Sequence, residues 1–149
     1  MSANIKAAEQ VAVIGTIDPA TVANTEVFTD VVDAGRWHQV LGLALIGNLP
    51  AETISFKAYR CDSAGNNKVQ LKAAATLAAH ATNNDNTQIV INVRNDEVGA
   101  AADGARYVCF GLVTGGATGG PCAAVALGVN ARYQPGSDSD LASVVEIVG

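Results

Sequence analysis

His38 and His80 are the only histidines in the chain. A histidine-based nucleophilic site needs one of them beside a serine, cysteine or carboxylate, and a zinc site needs ligands at short, regular spacing. Neither histidine has such a neighbour. His38 follows Trp37 at the entry to an apolar run, and His80 sits in an alanine-rich stretch ahead of an asparagine-rich turn. They read as a strand-end residue and a surface residue. Cys61, Cys109 and Cys122 are odd in number, and no pair has the spacing of a zinc or redox motif. Cys109 lies within Tyr107-Val108-Cys109-Phe110, where a thiol serves as a small core residue; a Cys109–Cys122 bridge between neighbouring strands stays open. The loop Gly115-Gly116-Ala117-Thr118-Gly119-Gly120 has the glycines of a phosphate cradle. It runs into Pro121 rather than Lys-Ser/Thr, and strand-like sequence follows where a helix is needed. It reads as a hairpin loop. Asp138-Ser139-Asp140 and Asn83-Asn84-Asp85-Asn86 are rich in oxygen but lack the glycine and terminal glutamate of an EF-hand loop, so both read as polar turns. The expectation is a protein that is not an enzyme, with no catalytic residue, no metal and no cofactor.

Composition points the same way. The chain has 149 residues, the size of one domain, with 49% hydrophobic and 15% charged residues and a formal charge of −5. That balance excludes a disordered chain. Without a basic surplus to neutralise phosphates, nucleic acid is not an expected partner. The longest apolar run, Val40 to Gly47, is far short of a membrane span, so a membrane partner is not expected either. The N-terminus lacks the apolar stretch of a secretory signal, which points to synthesis in the cytoplasm.

The elements that would have to carry any site are strand-like. Val11 to Ile17 is an apolar run ended by Asp18-Pro19, and Glu26 to Asp33 is rich in Val, Phe and Thr. Trp37 to Ile46 is continuously apolar, the pattern of a strand buried on both faces. Thr53 to Tyr59 and Gln88 to Arg94 alternate, with Ile54, Phe56 and Ala58, then Ile89, Ile91 and Val93, on their inner sides. Arg106 to Val113 and Cys122 to Tyr133 are two more long strands. Val69 to Ala81 opens as a strand and becomes alanine-rich; Asp96 to Ala102 fits a short helical connector. Turn residues separate these runs. The pattern predicts an all-β fold: a two-layer antiparallel β-sandwich of about eight strands, with the jelly roll among its forms.

Residues 1–10 read as an N-terminal arm, 11–134 as the sandwich domain, and 135–149 as a C-terminal arm or edge strand. The expected core is Trp37, Leu41, Leu43, Leu45, Ile54, Phe56, Ile89, Ile91, Val93, Phe110, Leu112, Val125 and Leu127. Beyond Gln134-Pro135-Gly136, the segment from Leu141 to Val148 is apolar and β-branched and must bury against something. It either completes the domain's own sheet or reaches a neighbouring copy by strand addition. Leu141, Val144, Val145 and Ile147 are the candidate assembly contacts.

Three stretches carry a resemblance. They are Val27-Phe28-Thr29-Asp30-Val31-Val32-Asp33-Ala34-Gly35-Arg36-Trp37 opening into Leu41 to Gly47, Thr53-Ile54-Ser55-Phe56-Lys57-Ala58, and Tyr133 to Ile147. In this order the chain resembles small virion structural proteins of tailed bacteriophages, siphophages above all, from Val11 onward. The resemblance implies a head decoration (cement) protein on the capsid surface. Its partners would be the major capsid protein and itself, as a trimer or other symmetric homo-oligomer. It supplies no active-site residue. A second reading is a host- or carbohydrate-binding sandwich module on a tail or fibre, for which Trp37, Tyr59, Tyr107 and Tyr133 are the available aromatics. A small hydrolase is a third.

Overall fold

A computed structural model describes residues 7–49, 53–73, 86–100, 105–133 and 144. A one-turn helix, α1 (Ala7–Gln10), leads into β1 (Val11–Val22). Two short segments follow, β2 (Val27–Phe28) and β3 (Val32–Asp33), then a 3-10 turn (Ala34–Arg36) and β4 (Trp37–Ile46). The rest of the chain runs through β5 (Ile54–Cys61), β6 (Val69–Ala73), β7 (Gln88–Arg94), α2 (Asn95–Ala100), β8 (Tyr107–Thr114) and β9 (Gly120–Ala131).

One antiparallel sheet has the order β1-β9-β4-β7. The other has β2-β8-β5-β6, with β3 also on β8. Because β2 and β3 pair successive parts of β8, they act as one interrupted strand, and the sandwich has eight strand positions. Apart from the β5–β6 hairpin, each connection between those positions crosses from one sheet to the other. This is the jelly-roll arrangement, in which the first strand neighbours the last and the second neighbours the next to last.

The two inner faces differ in size, and the difference explains how they fit. The β5–β8 side contributes Ile54, Phe56, Val108, Phe110 and Leu112, all at most 1% exposed. The Phe56 and Phe110 rings stack at 5.6 Å. Facing them, β4 and β9 present Gly42, Ala44, Ala124, Ala126 and Gly128. A Cβ on Gly42 would lie 2.5 Å from the Phe110 ring, and one on Gly128 would strike the Trp37 indole. Large residues on one sheet therefore require small ones on the other if the interior is to close at native density.

Several expectations hold. Trp37, Ile54, Phe56, Ile89, Ile91, Val93, Phe110 and Leu112 are buried. The short helix at 95–100 is present, and Val69 does open a strand.

Others need correction. The strand from Trp37 to Ile46 is not buried on both faces: Val40, Ala44 and Ile46 point inward, whereas Leu41 and Leu43 are half-buried and Leu45 is 41% exposed on the opposite side. Val125 and Leu127 are likewise half-buried on the outer side of β9. The physical reason is volume, since the space beneath β4 and β9 is already filled by Phe110, Phe56 and Trp37. The glycine-rich loop does not close a hairpin; it carries the chain from β8 in one sheet to β9 in the other. Gly119 has φ +67°, and a side chain there would meet the Val22 carbonyl. The first strand does not stop at Asp18-Pro19 but continues to Val22, with a register shift between Ile17 and Ala20 that accommodates the proline. Cys109 and Cys122 are unpaired thiols on different sheets.

Candidate interaction surface

The side of the four-stranded sheet that faces away from the core is apolar at its centre, while Asp18 is exposed on the edge strand β1. Register brings its side chains together. On β4, Leu41 lies opposite Leu127 of β9, Leu43 opposite Val125, and Leu45 opposite Ala123. On the other flank Leu43 faces Val90 of the edge strand β7, while Leu41 and Leu45 face the uncharged Asn92 and Gln88. β1 adds Val13 beside Leu127 and Val11 beside Val129. Val90 is 59% exposed. At one end Gln39 is paired with Arg94, whose guanidinium is neutralised by Asp96 at 2.7 Å. At the other end the surface runs into an apolar recess of about 580 Å³, lined by Pro19, Leu45, Gly47, Pro121 and Ala123 among others.

The outer side of the five-stranded sheet is built differently. Gly111 leaves room for the Phe28 and Tyr59 rings, which meet edge to face at 5.7 Å. The Tyr59 hydroxyl donates to Glu26 Oε1 at 2.7 Å; burial first, and this carboxylate second, hold the phenol well above its ordinary range. Lys57 lies 3.8 Å from the same oxygen, and Lys68 sits 4.4 Å above the Phe28 ring. Cys61 and Cys109 share this side. Their thiols are hydrogen-bonded, which raises the Cys109 thiol, with burial adding to the effect, and lowers that of Cys61. This face carries charge and satisfies it internally.

A third cluster closes one end of the sandwich. Asp33 receives Arg106 in bidentate fashion, at 2.5 Å to each oxygen, and accepts the Gly35 amide at 2.9 Å. The Arg106 hydrogen bonds, with Gly35 and the charge of Arg36 adding to them, hold the Asp33 carboxyl below its usual range against the opposing effect of burial. Nearby, the Asn95 side chain donates to the Ala34 carbonyl and accepts from Arg132. A polar cleft of about 480 Å³ lies between Gly35, Asn95, Arg106, Arg132 and Tyr133.

His38 is exposed beside the buried Trp37. His80, Asn83, Asn84, Asp85, Asp138, Asp140, Leu141, Val145 and Ile147 lie outside the described residues, and Val144 is half-buried. Among the described residues no three His, Cys, Asp or Glu side chains group to hold a metal, and no helix is long and apolar enough to cross a membrane. Two features escaped the sequence reading: the outward leucine face and the Asp33–Arg106 pair. Strict alternation of large and small residues along β4 (Leu41, Gly42, Leu43, Ala44, Leu45) was the signal for the first.

The chain matches no known protein family, and no curated protein sequence matches it. Solved structures of similar shape include the Bacillus endospore appendages described as disulfide-linked pili, at 10% identity and a TM-score of 0.49, covering 89% of this chain and 100% of that one. A chain of the infectious bursal disease virus Gx strain matches at 12% identity and a TM-score of 0.42, over 86% of this chain and 34% of the viral one. A CBM4 structure matches at 13% identity and a TM-score of 0.38, over 87% of this chain and 92% of that one.

Proposed function

We propose that this chain is a structural virion protein that binds a bacteriophage capsid lattice from outside and stabilises it as a decoration (cement) protein. The observation that carries the reading is the outward face of the β1-β9-β4-β7 sheet, where leucines and valines of β4, β7 and β9 meet across strands. Contiguous exposed apolar surface of this kind marks a contact site. A protein that works by contact needs no catalytic group, metal or cofactor, which agrees with the sparse histidine and charge of the chain. The resemblance of Val27–Gly47, Thr53–Ala58 and Tyr133–Ile147 to phage virion proteins supplies the setting, and the major capsid protein is the partner it implies.

Decoration acts by mass action: a ligand that binds only the assembled lattice stabilises it, by about 2.7 kcal/mol per site at a hundredfold excess over Kd. The test is to add purified protein to undecorated capsids and follow co-sedimentation and thermal disruption. Saturable binding at a fixed copy number, with capsids that open at higher temperature, is expected. Saturation of a host polysaccharide with no binding to capsids would replace this reading with that of a fibre-borne module.

A further inference from the structure

We propose that Cys61 and Cys109 form an oxidation site, a dithiol that a peroxide converts into an internal disulfide linking β5 to β8. The inference is independent of the decoration reading, since no capsid enters it or its test.

Register brings the two thiols together. In the β5–β8 pairing Cys61 lies opposite Tyr107 and Cys109 opposite Tyr59, so the cysteines are diagonal neighbours on the outer side of the five-stranded sheet. Their thiols are in hydrogen-bond contact, with Cys109 the donor. Cys122 belongs to the other sheet. The surroundings give the paired sulfurs different roles. Cys109 is fully buried, and its hydrogen bond to Cys61, with burial adding to it, keeps its proton in place. Cys61 is 7% exposed and stands where the β5–β6 pairing has ended, one residue beyond the Arg60–Val69 pair. A molecule as small as hydrogen peroxide can reach its sulfur there. The Cys109 hydrogen bond, and then the charge of Lys68, favour the Cys61 thiolate against burial and Asp62. The thiolate is the nucleophile, so Cys61 attacks first and Cys109 resolves.

Peroxide is the oxidant that balances the step. The Cys61 thiolate takes one peroxide oxygen, the O–O bond breaks, and the departing hydroxide leaves as water with the proton that Cys61 gave up. Cys61 is then a sulfenic acid. The Cys109 sulfur attacks the Cys61 sulfur, the S–O bond breaks, and the hydroxyl leaves with the Cys109 proton as a second water. The two thiols together lose two electrons, and one peroxide is reduced. Diagonal partners in a regular sheet lie about 7–8 Å apart, just outside the roughly 4.4–6.8 Å between Cα atoms of an unstrained bridge. The disulfide is therefore strained and easily reduced, which makes it a reversible lock between two central strands.

The experiment treats the reduced full chain with hydrogen peroxide and counts thiols after denaturation. The count should fall from three to one. The intact mass should fall by two hydrogens, and peptide mapping without reductant should join Cys61 to Cys109 within one chain and leave Cys122 free. Dithiothreitol should restore all three thiols. Cys109→Ala should hold Cys61 as a sulfenic acid that dimedone captures, and Cys61→Ala should leave Cys109 unreacted. If either variant fails to fold, the wild-type map decides the matter. Three thiols that survive peroxide would overturn the proposal. So would a bridge that maps to Cys122 or runs between chains, or a Cys61 that proceeds to the sulfinic acid while Cys109 stays free.

Discussion

Asp33 gathers more partners than any residue type count would suggest. It caps the 3-10 turn through the Gly35 amide, holds Arg106 in a two-pronged ion pair, and lies 3.6 Å from Arg36. Asp33→Asn keeps a cap but loses the charge, and should cost about 1 kcal/mol, discounted because the guanidinium partner is largely exposed. The sign of the pH dependence follows from the lowered carboxyl. Its contribution is complete above the ordinary aspartate value of 3.8 and is lost as pH falls through the depressed native value. Chemical denaturation at pH 7 and below pH 3 should therefore show a gap between wild type and Asp33→Asn at the first pH that shrinks at the second. An equal gap at both would contradict the assignment. None of this was legible from the sequence, because Asp33 and Arg106 are separated by 73 positions and no local pattern links them. The same holds for Cys61 and Cys109, whose contact depends on the β5–β8 register.

Local alternation was readable where one class of residue falls on each side of a strand. Gln88 to Arg94 and Thr53 to Tyr59 could be assigned faces because their inner residues are large and their outer ones are mostly polar. β4 and β9 defeated that logic. Both of their sides are apolar, so hydrophobicity does not say which faces inward; residue size does, but only once the bulk of the opposing sheet is known. Phe110 decides it for β4. Gly42→Ala places a methyl into the Phe110 ring and should destabilise the fold by about 1–3 kcal/mol, the usual cost of overpacking. Thermal melting checks this, and a Gly42→Ala protein as stable as wild type would show that the ring does not occupy that space. The glycine-rich connection failed for a related reason. Turn chemistry fixes that the chain bends between β8 and β9, and leaves open whether the next strand pairs with the last or crosses to the other sheet.

At the scale of the molecule, the all-β class and the two-layer architecture followed from strand spacing and turn residues, while the strand order did not. The jelly-roll order emerges only from non-local pairing, such as β1 beside β9 and β2 beside β8. Its consequence is two outer faces of opposite character. The outer side of the five-stranded sheet carries Glu26 bound by Lys57 and the Tyr59 hydroxyl, with Lys68 over the Phe28 ring, whereas the four-stranded sheet shows solvent a leucine and valine surface. That asymmetry bears directly on function, because a protein that acts by contact needs one face that water does not satisfy. The direct measurement is the thiol-labelling rate of a Val90→Cys variant, whose native cysteines are all buried. In dilute solution Cys introduced at this position should react rapidly. In capsid-bound protein the rate should fall at least about tenfold, as a contact face that excludes water requires. A rate that is the same in free and capsid-bound protein would show that this face is not the contact surface.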